Sequence, residues 1–229
     1  MSKIVYYDKN IVVINKEYGM SSQPDNTVGE DALSTVSRQL TEMGEKGVLY
    51  PVHRLDKVVG GLLVFARNKE AAKELSSSMC DGEFSKEYIA VTEGAPLGGK
   101  MTDYLVKNSA LSTAVVCTKD KSGAKFAELD YEVIETVKTE KGDKTLVKIS
   151  LKTGRFHQIR AQFSSRGYAL VGDKKYGSKD RRAYHPTLFA YRLSFSLFGK
   201  DYSFTENPDF DSYPWNLFNK NIYNEALND

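Results

Sequence analysis

Two adjacent glycines followed by five apolar residues, Gly60-Gly61-Leu62-Leu63-Val64-Phe65-Ala66, constrain this chain more than any other stretch. An apolar run of that length predicts a buried strand over 62–66. Glycine beside a strand marks a place where another segment comes close to the backbone. Before it, separated by Val58-Val59, stands Pro51-Val52-His53-Arg54-Leu55-Asp56-Lys57. Residues two apart in an extended backbone point to the same side, so Arg54 and Asp56 can face one cleft. Taken alone, an Arg-x-Asp pair near a strand is more often a pair of surface charges than a catalytic site.

The remaining elements follow from periodicity. Ile4–Tyr7 and Ile11–Ile14 predict a hairpin turning at Asp8-Lys9-Asn10. Ala32, Leu33, Val36 and Leu40 recur at helical spacing, which predicts a helix from Gly29 to about Met43. Asn68–Met79 carries Ala71, Ala72, Leu75 and Met79 on one face, with Asn68 as its cap. Strand, loop and helix would then hold Asp56 on a rigid frame, as a catalytic group requires. Phe84–Thr92 alternates as a strand, and Ala124–Val137 with Thr145–Leu151 predicts a longer hairpin. Met101–Thr118 shows only weak strand patterning. Phe156–Ser165 reads as a helix ending near Gly167, Leu188–Leu197 and Tyr202–Phe204 as strands around Phe198-Gly199-Lys200, and 215–227 as a terminal helix. Strands outnumber helices and short turns join many of them, so the fold class is α+β with a mainly antiparallel sheet. No repeat, low-complexity tract or interdomain linker interrupts it.

Composition excludes several classes. Two cysteines in 229 residues, Cys80 and Cys117, make no disulfide framework, and no secretory signal opens the chain, so a reducing cytoplasm is expected. No apolar run approaches the roughly 18 residues of a membrane span. Three histidines and two scattered cysteines have no zinc spacing, so no metal is expected. The net charge of +2 is uninformative, but its distribution is not. Residues 152–182 hold nine basic side chains against Asp173 and Asp180, whereas 201–229 hold six acids against Lys220. A basic segment in a neutral protein fits a phosphate-binding face, although a merely solvated surface is the commoner case.

Three motifs, in order, resemble the RNA pseudouridine synthases of the RluA type. They are His53-Arg54-Leu55-Asp56 before Gly61-Leu62-Leu63-Val64-Phe65-Ala66, then Lys86-Glu87-Tyr88-Ile89-Ala90-Val91 with Gly94, then Thr153-Gly154-Arg155-Phe156-His157-Gln158-Ile159-Arg160 with Gly172-Asp173 and Tyr176-Gly177. The likeness runs from about Ile11 to Ala190. It implies a single catalytic domain over 1–229, an extended mixed, mainly antiparallel sheet flanked by helices, with no N-terminal accessory RNA-binding module. It also implies a cofactor-free, monomeric enzyme that isomerises uridines in structured ribosomal or transfer RNA. By the resemblance Asp56 is the catalytic aspartate and Tyr88 the residue that stacks on uracil and moves a proton. Arg160, ahead of Arg155, supplies the guanidinium that keeps Asp56 charged. Arg54 would fill the space left by an extruded base. His53, Lys86, Arg155 and His157 join it as RNA-binding candidates, His53 more readily as a holder of its loop.

The chain departs from the family pattern at Glu17 (usually proline), Val59-Gly60 (usually Thr-Ser), Phe156 (usually a hydroxyl residue) and Phe189 (commonly histidine). Glu17 bears on loop stiffness more than on chemistry, whereas the other departures predict altered substrate preference or activity. A non-catalytic RNA binder that retains the fold is the alternative, which the joint presence of Asp56, Tyr88 and Arg160 disfavours. A nucleoside hydrolase would need a second carboxylate or a metal that the motifs do not offer.

Overall fold

The computed structural model describes residues 2–25 and 29–221. In chain order it contains β1 (Lys3–Tyr7), β2 (Ile11–Lys16), α1 (Ala32–Glu42), β3 (Tyr50–Pro51), β4 (Gly60–Ala66), α2 (Lys69–Asp81), β5 (Ser85–Glu93) and β6 (Gly99–Asn108). Then follow β7 (Thr113–Cys117), β8 (Lys125–Val137), β9 (Lys144–Leu151), α3 (Gln158–Ser165), β10 (Leu188–Leu197) and β11 (Lys200–Thr205). The α+β class is as the sequence predicts. Packing divides the chain into two compact units, one running to Lys86 and including Phe189–Pro208, the other made of Glu87–Leu188 and the segment from Asp209 on.

In the first unit β2 runs between β1 and β4, antiparallel to both. The opening hairpin forms because the Asp8 carboxylate accepts from the backbone N–H groups of Asn10 and Ile11, at 2.7 and 2.9 Å. Every residue of β4 is buried. While β2 pairs with residues 61–66 of β4, β10 runs parallel to Gly60 and Gly61, and β3 pairs with Phe65 and Ala66. β11 closes the other side of β10 around the Phe198-Gly199 turn, both of whose residues have positive φ, as a two-residue hairpin requires. Helix α2 is capped by Asn68, which accepts from Ala71 N–H at 2.8 Å, and stopped by left-handed Gly82. Its Ala71 and Leu75 enter a core with Ile11, Val13, Leu62, Val64, Leu193 and Phe195.

Gly61 shows why the glycine pair is needed. Its φ is +114°, and a Cβ there would lie 2.3 Å from the Ala190 carbonyl oxygen of β10. Strain and clash both fall on backbone, which cannot rotate away. A Gly61→Ala variant is expected to lose more than about 3 kcal/mol of stability, read as a depressed unfolding midpoint in urea.

The second unit is an antiparallel sheet in the order β5-β9-β8-β6-β7. The weak patterning over 101–118 conceals a full hairpin of β6 and β7, because Val115 is exposed and Tyr104, Val106 and Val116 are only half-buried, so the apolar alternation blurs. Ala161 of α3 packs on the inner face against Leu105, Ala114 and Ala127, and Phe163 meets Tyr131 edge-on with ring centres 5.0 Å apart. Of the terminal helix expected over 215–227, the described part holds a 3-10 turn at Trp215–Leu217 and helical residues at Lys220 and Asn221, and residues 222–227 lie outside the described residues.

Candidate active site

In the first unit, residues 55–59 are fastened to the segment 18–22. The Ser22 hydroxyl accepts from Leu55 N–H at 2.9 Å and donates to Leu55 C=O at 2.8 Å. Gly19 N–H donates to Lys57 C=O at 2.8 Å, and Val59 N–H to Asp56 C=O at 2.9 Å. The backbone around Asp56 is therefore fixed on both sides, with the side chain half-buried and Arg54 exposed.

Lys16, which the motifs did not single out, lies beneath this loop. It is fully buried, and its ammonium donates to the carbonyls of Glu17 and Met20 at 2.9 and 2.8 Å. Burial lowers its pKa to about 8, with the negative charge of Asp56 working in the opposite direction. The unfolded chain then holds more protons than the folded one between about pH 8 and 10.5, so stability rises with pH across that window. Relative to a Lys16→Met variant, wild-type unfolding free energy should climb by about 3 kcal/mol from pH 8 to 10.5. A flat difference in urea titrations across that range would contradict it.

His53 holds the loop. Its Nε2 accepts from Val64 N–H at 3.2 Å, midway along β4 between the stretches paired with β10 and β3. The imidazole satisfies a strand donor where the ladder has a gap. Burial brings its pKa down to about 3, and the Lys86 ammonium adds to the effect, so the ring is neutral at physiological pH. His53 and Lys86 share the Phe84 ring, at 5.4 Å between ring centres and 5.8 Å from ammonium to ring centre.

Two departures from the family pattern meet on one side chain. A Cβ at Gly60 would come within 2.9 Å of Tyr18 Cε2, and Phe189 lies 6.4 Å from the Tyr18 ring. The tyrosine fills space that a serine at 60 would contest. Its phenol is held above the usual tyrosine range by burial.

The second unit carries the other candidates. Tyr88, 6% exposed, is fixed in β5 opposite Ile149 of β9. Arg160, in the first turn of α3, is buried, and its Nε and Nη2 grip the two Asp173 oxygens at 2.7 and 2.9 Å. Its guanidinium carbon stands 4.9 Å from the centre of the Tyr176 ring. Asp173 and Tyr176 belong to the third motif, but the sequence alone assigned them no role. His157 precedes α3 in the left-handed conformation, stacks on Phe156 at 3.8 Å, and shares a 3.0 Å hydrogen bond between Nδ1 and the Tyr176 hydroxyl. The aromatic Phe156 thus supports His157 and also lies 5.0 Å from the Lys107 ammonium. Arg155 is exposed and donates from Nε to the Phe126 carbonyl at 2.7 Å.

Residues 10–165 match the family model described as RNA pseudouridylate synthase. The chain belongs to this family. Among RNA pseudouridylate synthases it is 34% identical over 194 residues to ribosomal large subunit pseudouridine synthase D of Zymomonas mobilis, covering 81% of this chain and 59% of that longer protein. It is 31% identical over 202 residues to the dual-specificity RNA pseudouridine synthase RluA of Haemophilus ducreyi, covering 84% of this chain and 85% of the relative. The solved structure of human RNA pseudouridylate synthase domain containing 1 superposes with a TM-score of 0.76 at 22% identity, over 100% of this chain and 95% of that one, a likeness of fold. No helix among the described residues is long and apolar enough to cross a membrane.

Proposed function

We propose that this RNA pseudouridylate synthase isomerises uridine to pseudouridine in structured ribosomal or transfer RNA in the cytoplasm, with Asp56 as the catalytic group and no cofactor. The observation that carries the reading is the His53–Asp56 loop, locked by Ser22, Gly19 and Val64, in a chain whose family acts on RNA uridines. Breaking the N1–C1′ bond leaves the sugar carbon poor in electrons. A carboxylate can stabilise that charge or bond to the carbon. The uracil turns, C5 bonds to C1′, the C5 proton leaves to solvent, and N1 takes up a proton, so nothing is gained or lost overall.

In this reading Tyr88 stacks on the base and moves the C5 proton late in the reaction. Arg160, with orientation supplied by Asp173, favours the ionised form of Asp56. Extrusion of the target base costs a few kcal/mol, and Arg54 fills the gap it leaves. The exposed Arg155 contacts phosphate, with Lys86 and His157 contributing to RNA binding. Tritium release from RNA labelled at uridine C5 tests the proposal. A synthase releases the label while keeping the base attached to RNA, a binder releases nothing, and a hydrolase liberates free uracil.

A further inference from the structure

The basic segment that sequence could only count becomes a directed surface in the fold. Of the charged groups from Asp173 to Arg182, the two acids are turned inward. Asp173 is 1% exposed and gripped by Arg160, and Asp180 is 3% exposed and held by Arg182 and the Tyr213 hydroxyl. The Arg182 guanidinium keeps the Asp180 carboxyl well below the usual carboxylate range. Lys174, Lys175, Lys179 and Arg181 are exposed, and among the described residues none of them pairs with a carboxylate. With both acids engaged internally, the outward charge of this segment is wholly positive.

The arm that follows is tied at both ends. Glu93 Oε1 accepts from Ser178 Oγ, Lys179 N–H and Asp180 N–H at 2.7, 2.9 and 3.0 Å. Thr187 donates its N–H to Val171 C=O at 2.8 Å and accepts from Val91 N–H at 3.1 Å. Between these ties Ala183 and His185 sit on Gly172, where a Cβ would fall 2.3 Å from the His185 carbonyl oxygen. Their seating leaves the residue between them, Tyr184, 89% exposed. The fold gains nothing by holding this large ring in water on a firmly anchored arm, and Lys174, Lys175, Lys179 and Arg181 are exposed in the same segment.

We propose that the 174–184 arm is a single-stranded RNA contact, in which the Tyr184 ring stacks on an unpaired base while Lys179 and Arg181 hold the adjoining phosphates. An exposed aromatic among unpaired cations suits a flexible strand, whose bases are free to stack. A duplex hides its base faces and offers only phosphates. This rests on the reading of the chain as an enzyme acting on RNA, and it names the part of the substrate the arm takes. Tyr184 binds here and does no chemistry.

The test is equilibrium binding of a fluorescent oligouridylate and of an RNA duplex of equal length to the full chain, with unfolding midpoints measured alongside. Tyr184→Ala should weaken oligouridylate binding about 5- to 150-fold. It should leave duplex binding and the midpoint unchanged, and Tyr184→Phe should restore wild-type affinity. Arg181→Ala should lower the slope of log affinity against log salt by about 0.7. Wild-type oligouridylate binding by Tyr184→Ala, or an equal loss on duplex, would overturn the proposal. Should the chain form no pseudouridine while Tyr184→Ala still loses oligouridylate, the catalytic reading fails and the RNA contact stands.

Discussion

Asp56→Asn is expected to form no measurable pseudouridine, a loss on the order of 10³-fold or more in single-turnover tritium release. Asparagine has the shape of aspartate but neither its charge nor its nucleophilic oxygen, so it cannot stabilise or bond to the sugar carbon. The variant should fold, because the loop is fastened through the backbone of residues 55–59 and not through the Asp56 carboxylate alone. RNA affinity, measured by filter binding, should stay within about threefold of wild type, since the cations proposed to contact phosphate are untouched. Loss of the Asp56 charge also removes the influence that raises the Lys16 pKa, so Lys16 should titrate below its wild-type value of about 8. Full activity in this variant would refute the assignment of Asp56.

Asp173→Ala should be strongly destabilising, costing about 3–5 kcal/mol in denaturant titrations. It leaves the Arg160 guanidinium, 4% exposed, without the carboxylate that takes two of its N–H groups. Removing the cation as well relieves most of this penalty, because two buried charges replaced by apolar groups of similar volume are often neutral in stability. The double variant Arg160→Met/Asp173→Leu should therefore recover most of the lost stability yet release no tritium. Recovery of both fold and activity would show that Arg160 serves the fold alone. Failure of the double variant to regain stability would show that the pair contributes more than charge compensation.

The buried strand, the hairpins and the three motifs were legible in the residues because each rests on local information. Alternation writes a strand into its own sequence, Asn68 caps the helix next to it, and Gly60-Gly61 announces a close approach without naming the segment that approaches. The hairpin of β6 and β7 was faint because Val115 is exposed and Tyr104, Val106 and Val116 are only half-buried. What the sequence could not supply is any pairing between distant residues. That Gly61 makes room for Ala190, that Tyr18 fills the space at Gly60, and that His53 bridges a gap in the β4 ladder depends on segments far apart in the chain.

Charge shows the same division most clearly. The order of residues determined that nine bases crowd into 152–182, and the motifs determined which carboxylate to suspect. Only the tertiary structure decided that Asp173 and Asp180 turn inward, Lys16 is buried beneath the Asp56 loop, and Tyr184 is left in water. Burial is a property of everything that surrounds a residue, and a side chain's charge, pKa and reach follow from those surroundings.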